Sequence, residues 1–176
     1  MPGPTFLDGE TVSLATIEAD DVSFVHETVN DPAVRNGLSF ARPQSEQTER
    51  EWIESIGDTD SDDVHFLICV EDDPVGVIGL NQVHPTLGTG ELGYYLTPHA
   101  WGNGYATDAA RTLVDYAFAQ LRLHRVHARA FAGNEGSQRV LEKVGFEHEG
   151  VRRDHWFRNG EHEDVHVYGL LTSEWE

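Results

Sequence analysis

Apolar residues recur at helical spacing in one long stretch near the middle of the chain. Ala106, Ala109, Ala110, Leu113, Val114, Ala117 and Phe118 fall at i, i+3, i+4, i+7, i+8, i+11 and i+12, a continuous stripe. They predict a helix from Tyr105 to Gln120, about 24 Å long at 1.5 Å per residue. Around it lie β-branched, largely apolar runs: Val64 to Val70, Val75 to Val83 and Glu91 to Leu96 before it, and Val126 to Phe131 after it. Asp72-Asp73-Pro74 and Gly88-Thr89-Gly90 separate the first three, and turns that short imply an antiparallel meander. The long helix acts as a crossover, so Glu91–Leu96 and Val126–Phe131 are predicted to run parallel.

Towards the N-terminus, Asp8-Gly9 reads as a turn and Thr11 to Ala15 alternates as a first strand. A helix is expected from Asp20-Asp21 to about Asn30, with Val22, Val25 and Val29 on one face, and Asp31-Pro32 ends it. Gly37 to Pro43 is a loop. Ser45 caps a second helix through about Gly57 that turns Trp52, Ile53 and Ile56 inward, and Gly57 to Asp63 is an acidic loop. At the other end, Asn134 to Val144 is a short helix stopped by Gly145. Phe146 onward and Asp164 to Leu171 make a last pair of strands joined through Arg158-Asn159-Gly160, a strong hairpin turn. There is no internal repeat, low-complexity tract or linker, so residues 1–176 are expected to form a single α+β domain with a mixed sheet.

Charge changes this picture more than composition does. The chain has 31 acidic residues against 12 basic ones, a net charge of −19, and its one lysine is Lys143. Self-repulsion on that scale disfavours a compact state in dilute buffer. It is tolerable where salt shortens the Debye length to about 3 Å at 1 M. The acids are spread along the whole chain, which points to a salt-rich cytoplasm, although an acidic face for a basic partner is the other reading. Free nucleic acid is excluded as a ligand because no basic patch could neutralise its phosphates. Cys69 is the lone cysteine and sits in an apolar run, a core position. No apolar run reaches 18 residues, and MPGPTFLDGE has neither a basic region nor an apolar signal core, so a cytoplasmic protein is expected and no membrane association.

The candidate chemistry lies where the long helix begins. Gly102-Asn103-Gly104 permits a sharp turn and close approach of a ligand. The first amides of a helix lack partners and carry partial positive charge, so this is an expected anion site, most simply for phosphate. It is not a P-loop, for no GxxxxGK[ST] is present. It is not a dinucleotide fingerprint either. Thr107 occupies the third glycine position, a five-residue loop from Thr97 to Trp101 separates it from the strand, and no strand–helix unit repeats.

These residues carry a family resemblance. Glu91-Leu92-Gly93-Tyr94-Tyr95-Leu96 is followed by Trp101-Gly102-Asn103-Gly104-Tyr105-Ala106. Asn134 to Phe146 comes about thirty residues on, and the Phe157-Arg158-Asn159-Gly160-Glu161 hairpin with Asp164-Val165 closes the chain. Together they resemble the GNAT superfamily of N-acetyltransferases, and within it the ribosomal-protein N-terminal acetyltransferase branch. The resemblance covers nearly the whole chain. It implies a mostly antiparallel sheet splayed between two parallel strands, acetyl-CoA as donor, no metal, and a primary amine as acceptor. That amine is either a protein N-terminus or a small molecule. It also implies a pyrophosphate cradle on the amides of Trp101, Gly102, Asn103, Gly104, Tyr105 and Ala106. The family's Q/R-x-x-G-x-G/A falls on His99 to Gly104, with His99 departing from the usual side chain. The pantetheine arm would pair with the strand end at Leu96, Asn134 would hydrogen-bond that arm, and Ser137 would lie near the thiol. Some members are dimers, so monomer and homodimer both stay open.

Transfer of an acetyl group to an amine needs a deprotonated amine, a polarised thioester carbonyl, a stabilised oxyanion and a stabilised leaving thiolate. Glu91 is the candidate base, working through a water, and its other reading is a solvated strand-end carboxylate. His84 is a second candidate. Ser137 is the candidate acid or thiolate hydrogen-bond donor, or else the N-cap of its helix. Tyr94 and Tyr95 point to opposite faces of their strand, one into the core and one towards an acceptor cleft. Cys69 lacks any activating neighbour in sequence, so direct attack in a ternary complex is expected rather than a covalent relay. The ten histidines form no zinc pattern. The alternative to an enzyme is a non-catalytic acyl-CoA-binding or regulatory module that keeps the glycine cradle without the acid and base.

Overall fold

The computed structural model describes residues 2–58 and 60–175, which leaves Thr59 of the acidic loop outside. Eight strands form one sheet, β1 (Thr5–Asp8), β2 (Ser13–Ala15), β3 (Val64–Val70), β4 (Asp73–His84), β5 (Thr89–Leu96), β6 (Arg125–Phe131), β7 (Glu147–Arg158) and β8 (Glu161–Leu171), in the order β1-β2-β3-β4-β5-β6-β8-β7. Every neighbouring pair is antiparallel except β5 and β6. The helices are α1 (Val22–Asn30), α2 (Pro32–Arg35), α3 (Glu46–Ser55), α4 (Tyr105–Ala119) and α5 (Glu135–Val144). The family-type sheet with one parallel pair is therefore present, built as a meander, a helical crossover and a terminal hairpin.

The sheet separates two cores. On one face, Ala106, Ala109, Ala110, Leu113, Val114 and Ala117 of α4 are buried against Ile78, Leu80, Leu92, Val126 and Ala128. Small residues dominate this helix face, so α4 packs close to the strands. Phe118, the last residue of the predicted stripe, is only half-buried and meets Trp175 edge-on, 6.2 Å between centroids. On the other face, Val22, Val25 and Val29 of α1 and Ile53 of α3 cover Leu67, Cys69 and Val77.

Two local features depart from expectation. The first strand is a hairpin, β1 with β2, rather than a single run over Thr11–Ala15. Phe6 is exposed and two prolines precede it, so β1 carries no strand signal of its own. It stacks on Phe66, 5.5 Å between ring centroids. Its turn is fastened from outside by Asp108 in the first turn of α4. That carboxylate accepts from the amides of Glu10, Thr11 and Val12 and from the Thr11 hydroxyl, at 2.6–3.0 Å. Secondly, Asp31 does more than end α1. Its Oδ1 accepts from the Ala33 and Val34 amides and starts α2, with Pro32 at the first position.

Candidate active site

The site exists because two parallel neighbours part. β5 and β6 are in register from Thr89↔Arg125 to Leu92↔Ala128 and then stop pairing. Each keeps its other neighbour, β5 with β4 as far as Leu96↔Gly76 and β6 with β8 as far as Phe131↔Val165. The gap so formed opens into a cavity of about 930 Å³ that runs from the start of α4 and α5, past the ends of β5 and β6, to α2, the loop after it and the β7–β8 hairpin.

At the α4 end, Gly102 and Gly104 adopt φ of +77° and +83°, the left-handed region that favours glycine. A Cβ at either would meet nothing within 4 Å, so the space in front of them is open. The first helical backbone bond is Asp108 N to Gly104 O, and the amides from Gly102 to Thr107 make no backbone hydrogen bond among the described residues. They form the row of free donors that a pyrophosphate needs. Trp101 is different. Its amide already donates to Pro98 O, 3.2 Å, and its indole Nε1 donates to Leu96 O, 3.0 Å. Asn103 faces away from the cavity and braces the turn through the Ala100 and Trp101 carbonyls, both 3.2 Å. Tyr105 and Ala106 line the cavity.

At the splay, Thr97 N donates to Val75 O on β4, 2.8 Å. Strand alternation then turns the Leu96 amide the other way, across the gap towards β6. With its carbonyl taken by Trp101, Leu96 offers one free N–H to the cavity. Asn134 and Ser137 lie on the facing wall. Asn134 is the N-cap of α5, its Oδ1 accepting from Ser137 N at 3.1 Å. The cap is thus Asn134 and not Ser137, which leaves the serine hydroxyl for another partner. That partner is the Tyr94 hydroxyl, 2.9 Å away. Burial pushes the Tyr94 phenol up to about 12, so it keeps its proton at neutral pH. Tyr94 joins the core under α4, while Tyr95 packs against the α1–α3 core, and both reach the cavity wall. Alternation alone separated the two rings but could not say which would meet Ser137, 43 residues later.

Glu91 faces the α1–α3 side with His127 and Arg129 of β6. Its Oε1 accepts from Arg129 Nε at 2.6 Å and its Oε2 lies 3.7 Å from His127 Nε2. Burial pulls this carboxyl upward, but the bonds and charges of His127 and Arg129 outweigh it and hold Glu91 below the usual carboxylate range. It is ionised at neutral pH and correspondingly weak as a base. His84 is absent from the cavity wall, and its Nδ1 lies 3.3 Å from the Leu87 amide. Cys69 is buried on β3 away from the cavity, its thiol pushed up to about 11 by burial, which suits core packing and not nucleophilic attack.

One property of the site escapes any linear reading. Among the described residues, the cavity is lined by Arg129, Arg139, Lys143 and Arg158 and by a single carboxylate, Glu91, in a chain with 31 acids and 12 bases. The local charge is the reverse of the global one, as an anionic ligand requires.

The acetyltransferase (GNAT) domain family matches residues 12–147. The chain belongs to the GNAT acetyltransferase family. As a GNAT protein it is an N-acetyltransferase by class. It is 33% identical over 175 residues to "Putative ribosomal N-acetyltransferase YdaF" of Bacillus subtilis, covering 95% of this chain and 94% of that one. It is 25% identical over 155 residues to the spermidine N(1)-acetyltransferase of Escherichia coli, covering 88% and 83%. The crystal structure of a GNAT-family acetyltransferase from Bacillus anthracis superposes with a TM-score of 0.83 at 26% identity, over 96% of this chain and 99% of that one. Among the described residues of this GNAT chain, no helix is long and apolar enough to cross a membrane. Nor does any group of three or more His, Cys, Asp or Glu come together as metal ligands.

Proposed function

We propose that residues 1–176 act as one acetyl-CoA-dependent N-acetyltransferase domain that moves the acetyl group to a primary amine by direct attack in a ternary complex. The observation that carries this is the continuity of the cavity, from the free amides at the start of α4 through the parted strands to the opposite face of the sheet. Two substrates entering from opposite faces can meet there without a covalent relay. Holding them together is worth up to about 7–11 kcal/mol of the barrier.

In this reading the amides from Gly102 to Ala106 receive the pyrophosphate, with Trp101 and Asn103 shaping the turn that presents them. The Leu96 amide faces the thioester carbonyl and stabilises the negative charge that grows on its oxygen. Asn134 fixes the start of α5 and so positions Ser137. The amine nitrogen bonds to the acetyl carbon, and the C–S bond breaks. Once the new C–N bond forms, the nitrogen's proton is acidic enough for a weak base, and Glu91 takes it through a water. The Ser137 hydroxyl, itself in contact with the Tyr94 hydroxyl, donates to the departing thiolate. We place the activity in a salt-rich cytoplasm, the setting in which a net charge of −19 is tolerable.

The test is release of free thiol from acetyl-CoA at molar salt against a panel of peptides and amines, with acetyl-CoA affinity measured alongside. Turnover with at least one amine is expected. Binding without turnover on any acceptor would favour the non-catalytic acyl-CoA-binding module. Absence of binding would sink both readings.

A further inference from the structure

The far end of the cavity is built on the sheet face opposite α4 and α5. Ala128 and Ala130 of β6 are buried towards the helices, so Arg129 and Phe131 face the other way. Phe131 is paired in register with Val165, and Trp156 with Glu163. These positions meet in one cluster. The Phe131 and Trp156 rings are 6.0 Å apart between centroids, and the Arg158 guanidinium lies 4.4 Å above the Phe131 ring. Arg158 Nε pairs with Glu163 Oε2 at 2.8 Å, and Glu163 Oε1 accepts from Gly133 N at 2.8 Å. The guanidinium is therefore held by the Phe131 ring and by Glu163, yet among the described residues Nη1 is buried with no hydrogen-bond partner and Nη2 makes no hydrogen bond. Arg158, Trp156 and Phe131 all line the cavity.

Resting on the acetyl-transfer reading above, we propose that the acceptor is an α-amino acyl compound whose carbonyl or carboxylate oxygen, next to the amine, is received by the Arg158 guanidinium. A buried donor without an acceptor is costly, and an oxygen brought in by the substrate relieves it. The planar fork is suited to a carboxylate or amide oxygen. A polyamine offers only donors and positive charge at neutral pH. The sole carboxylate in the cavity wall among the described residues, Glu91, is already committed to Arg129. A polycation would find two arginines and no free anion at the acceptor end. A free amino acid and a peptide N-terminus share the recognised chemistry.

The experiment compares wild-type protein with Arg158→Gln and Arg158→Lys on glycinamide, glycine, a glycyl peptide, ethylamine and spermidine. The readouts are kcat, KM and a separate acetyl-CoA affinity. Wild type is expected to prefer glycinamide to ethylamine by at least about tenfold in kcat/KM after correction for the free-base fraction of each amine. Arg158→Gln should remove that preference through KM, with a loss on glycinamide about tenfold larger than any loss on ethylamine and with acetyl-CoA affinity within about twofold, and Arg158→Lys should restore part of it. Glycine against the glycyl peptide tells which source of the oxygen is used. Equal losses on glycinamide and ethylamine, or wild-type preference for spermidine, would overturn the proposal. If the variants do not fold, the wild-type preference for glycinamide over ethylamine still decides it. Turnover with none of the five, despite bound acetyl-CoA, counts against the acetyl-transfer reading itself.

Discussion

At the scale of single residues, the site depends on which groups are already committed. Glu91 was recognisable as an acid at a strand start, but its partners Arg129 and His127 come from β6, 38 residues later in the case of Arg129, and only the parallel register brings them together. The ion pair decides how the carboxylate titrates. Because Glu91 is held below the usual range, it stays charged throughout the neutral region and contributes no titration between about pH 5 and 8. The pH profile of kcat/KM should therefore rise with a single proton that belongs to the acceptor, turning at about 7.7–8.0 for an α-amine. Glu91→Gln should lower kcat by roughly a hundredfold without moving that turn. An inflection between pH 5 and 7 that disappears in Glu91→Gln would show that Glu91 titrates there after all.

At the scale of elements, α4 is the best-read and most heavily used part of the chain. Its stripe was legible because a buried helix needs apolar residues at a fixed period, and its glycines because only glycine takes φ near +80° cheaply. Gly104→Asp adds both backbone strain and a carboxylate against the cradle. Acetyl-CoA affinity, measured by calorimetry, should fall by at least about tenfold, a loss of about 1.4 kcal/mol or more. Unchanged affinity in a folded variant would show that the cradle lies elsewhere. The same helix holds the β1–β2 turn through Asp108, a link across 96–98 residues that no local pattern announces. Burial raises the Asp108 carboxyl, but the bonds from Thr11, Glu10 and Val12 prevail and leave it lowered. A depressed folded value means the stabilisation is complete above the unfolded value of about 3.9 and is lost as pH falls through the folded one. Asp108→Asn should lower stability at pH 7 by about 1–2 kcal/mol, at the low end because the turn meets solvent. The difference from wild type should shrink in acid, and an equal difference at pH 7 and below pH 3 would remove the charge from the explanation.

At the scale of the whole molecule, the β3–β4–β5 meander, the crossover and the terminal hairpin were legible because each rests on a local signal, short polar turns or helical periodicity, combined with the handedness of parallel connections; the place of β8 between β6 and β7 was not. Three further things were not legible. The β1 strand has an exposed phenylalanine and prolines where a strand signal would stand. The Tyr94–Ser137 contact and the Gly133–Glu163 bond join elements distant in sequence, 43 and 30 residues apart. The reversal of charge inside the cavity appears only when Arg129, Arg139, Lys143 and Arg158 are folded onto one surface. That reversal also separates two uses of charge that composition merges. Cations gather on the cavity wall, while the excess acid lies outside it. If that excess is an adaptation to salt, repulsion among the surface carboxylates should be the main liability in dilute buffer, and screening should relieve it as the Debye length shrinks from about 10 Å at 0.1 M to about 3 Å at 1 M. The unfolding midpoint should rise by several degrees between 0.1 and 2 M KCl. Replacing Asp58, Asp60 and Asp62 of the exposed acidic loop by asparagine should raise the midpoint at low salt and flatten its dependence on KCl. A midpoint indifferent to KCl, or a triple variant with the same slope as wild type, would mean that the acids do not repel enough to matter and that their surplus faces a basic partner instead.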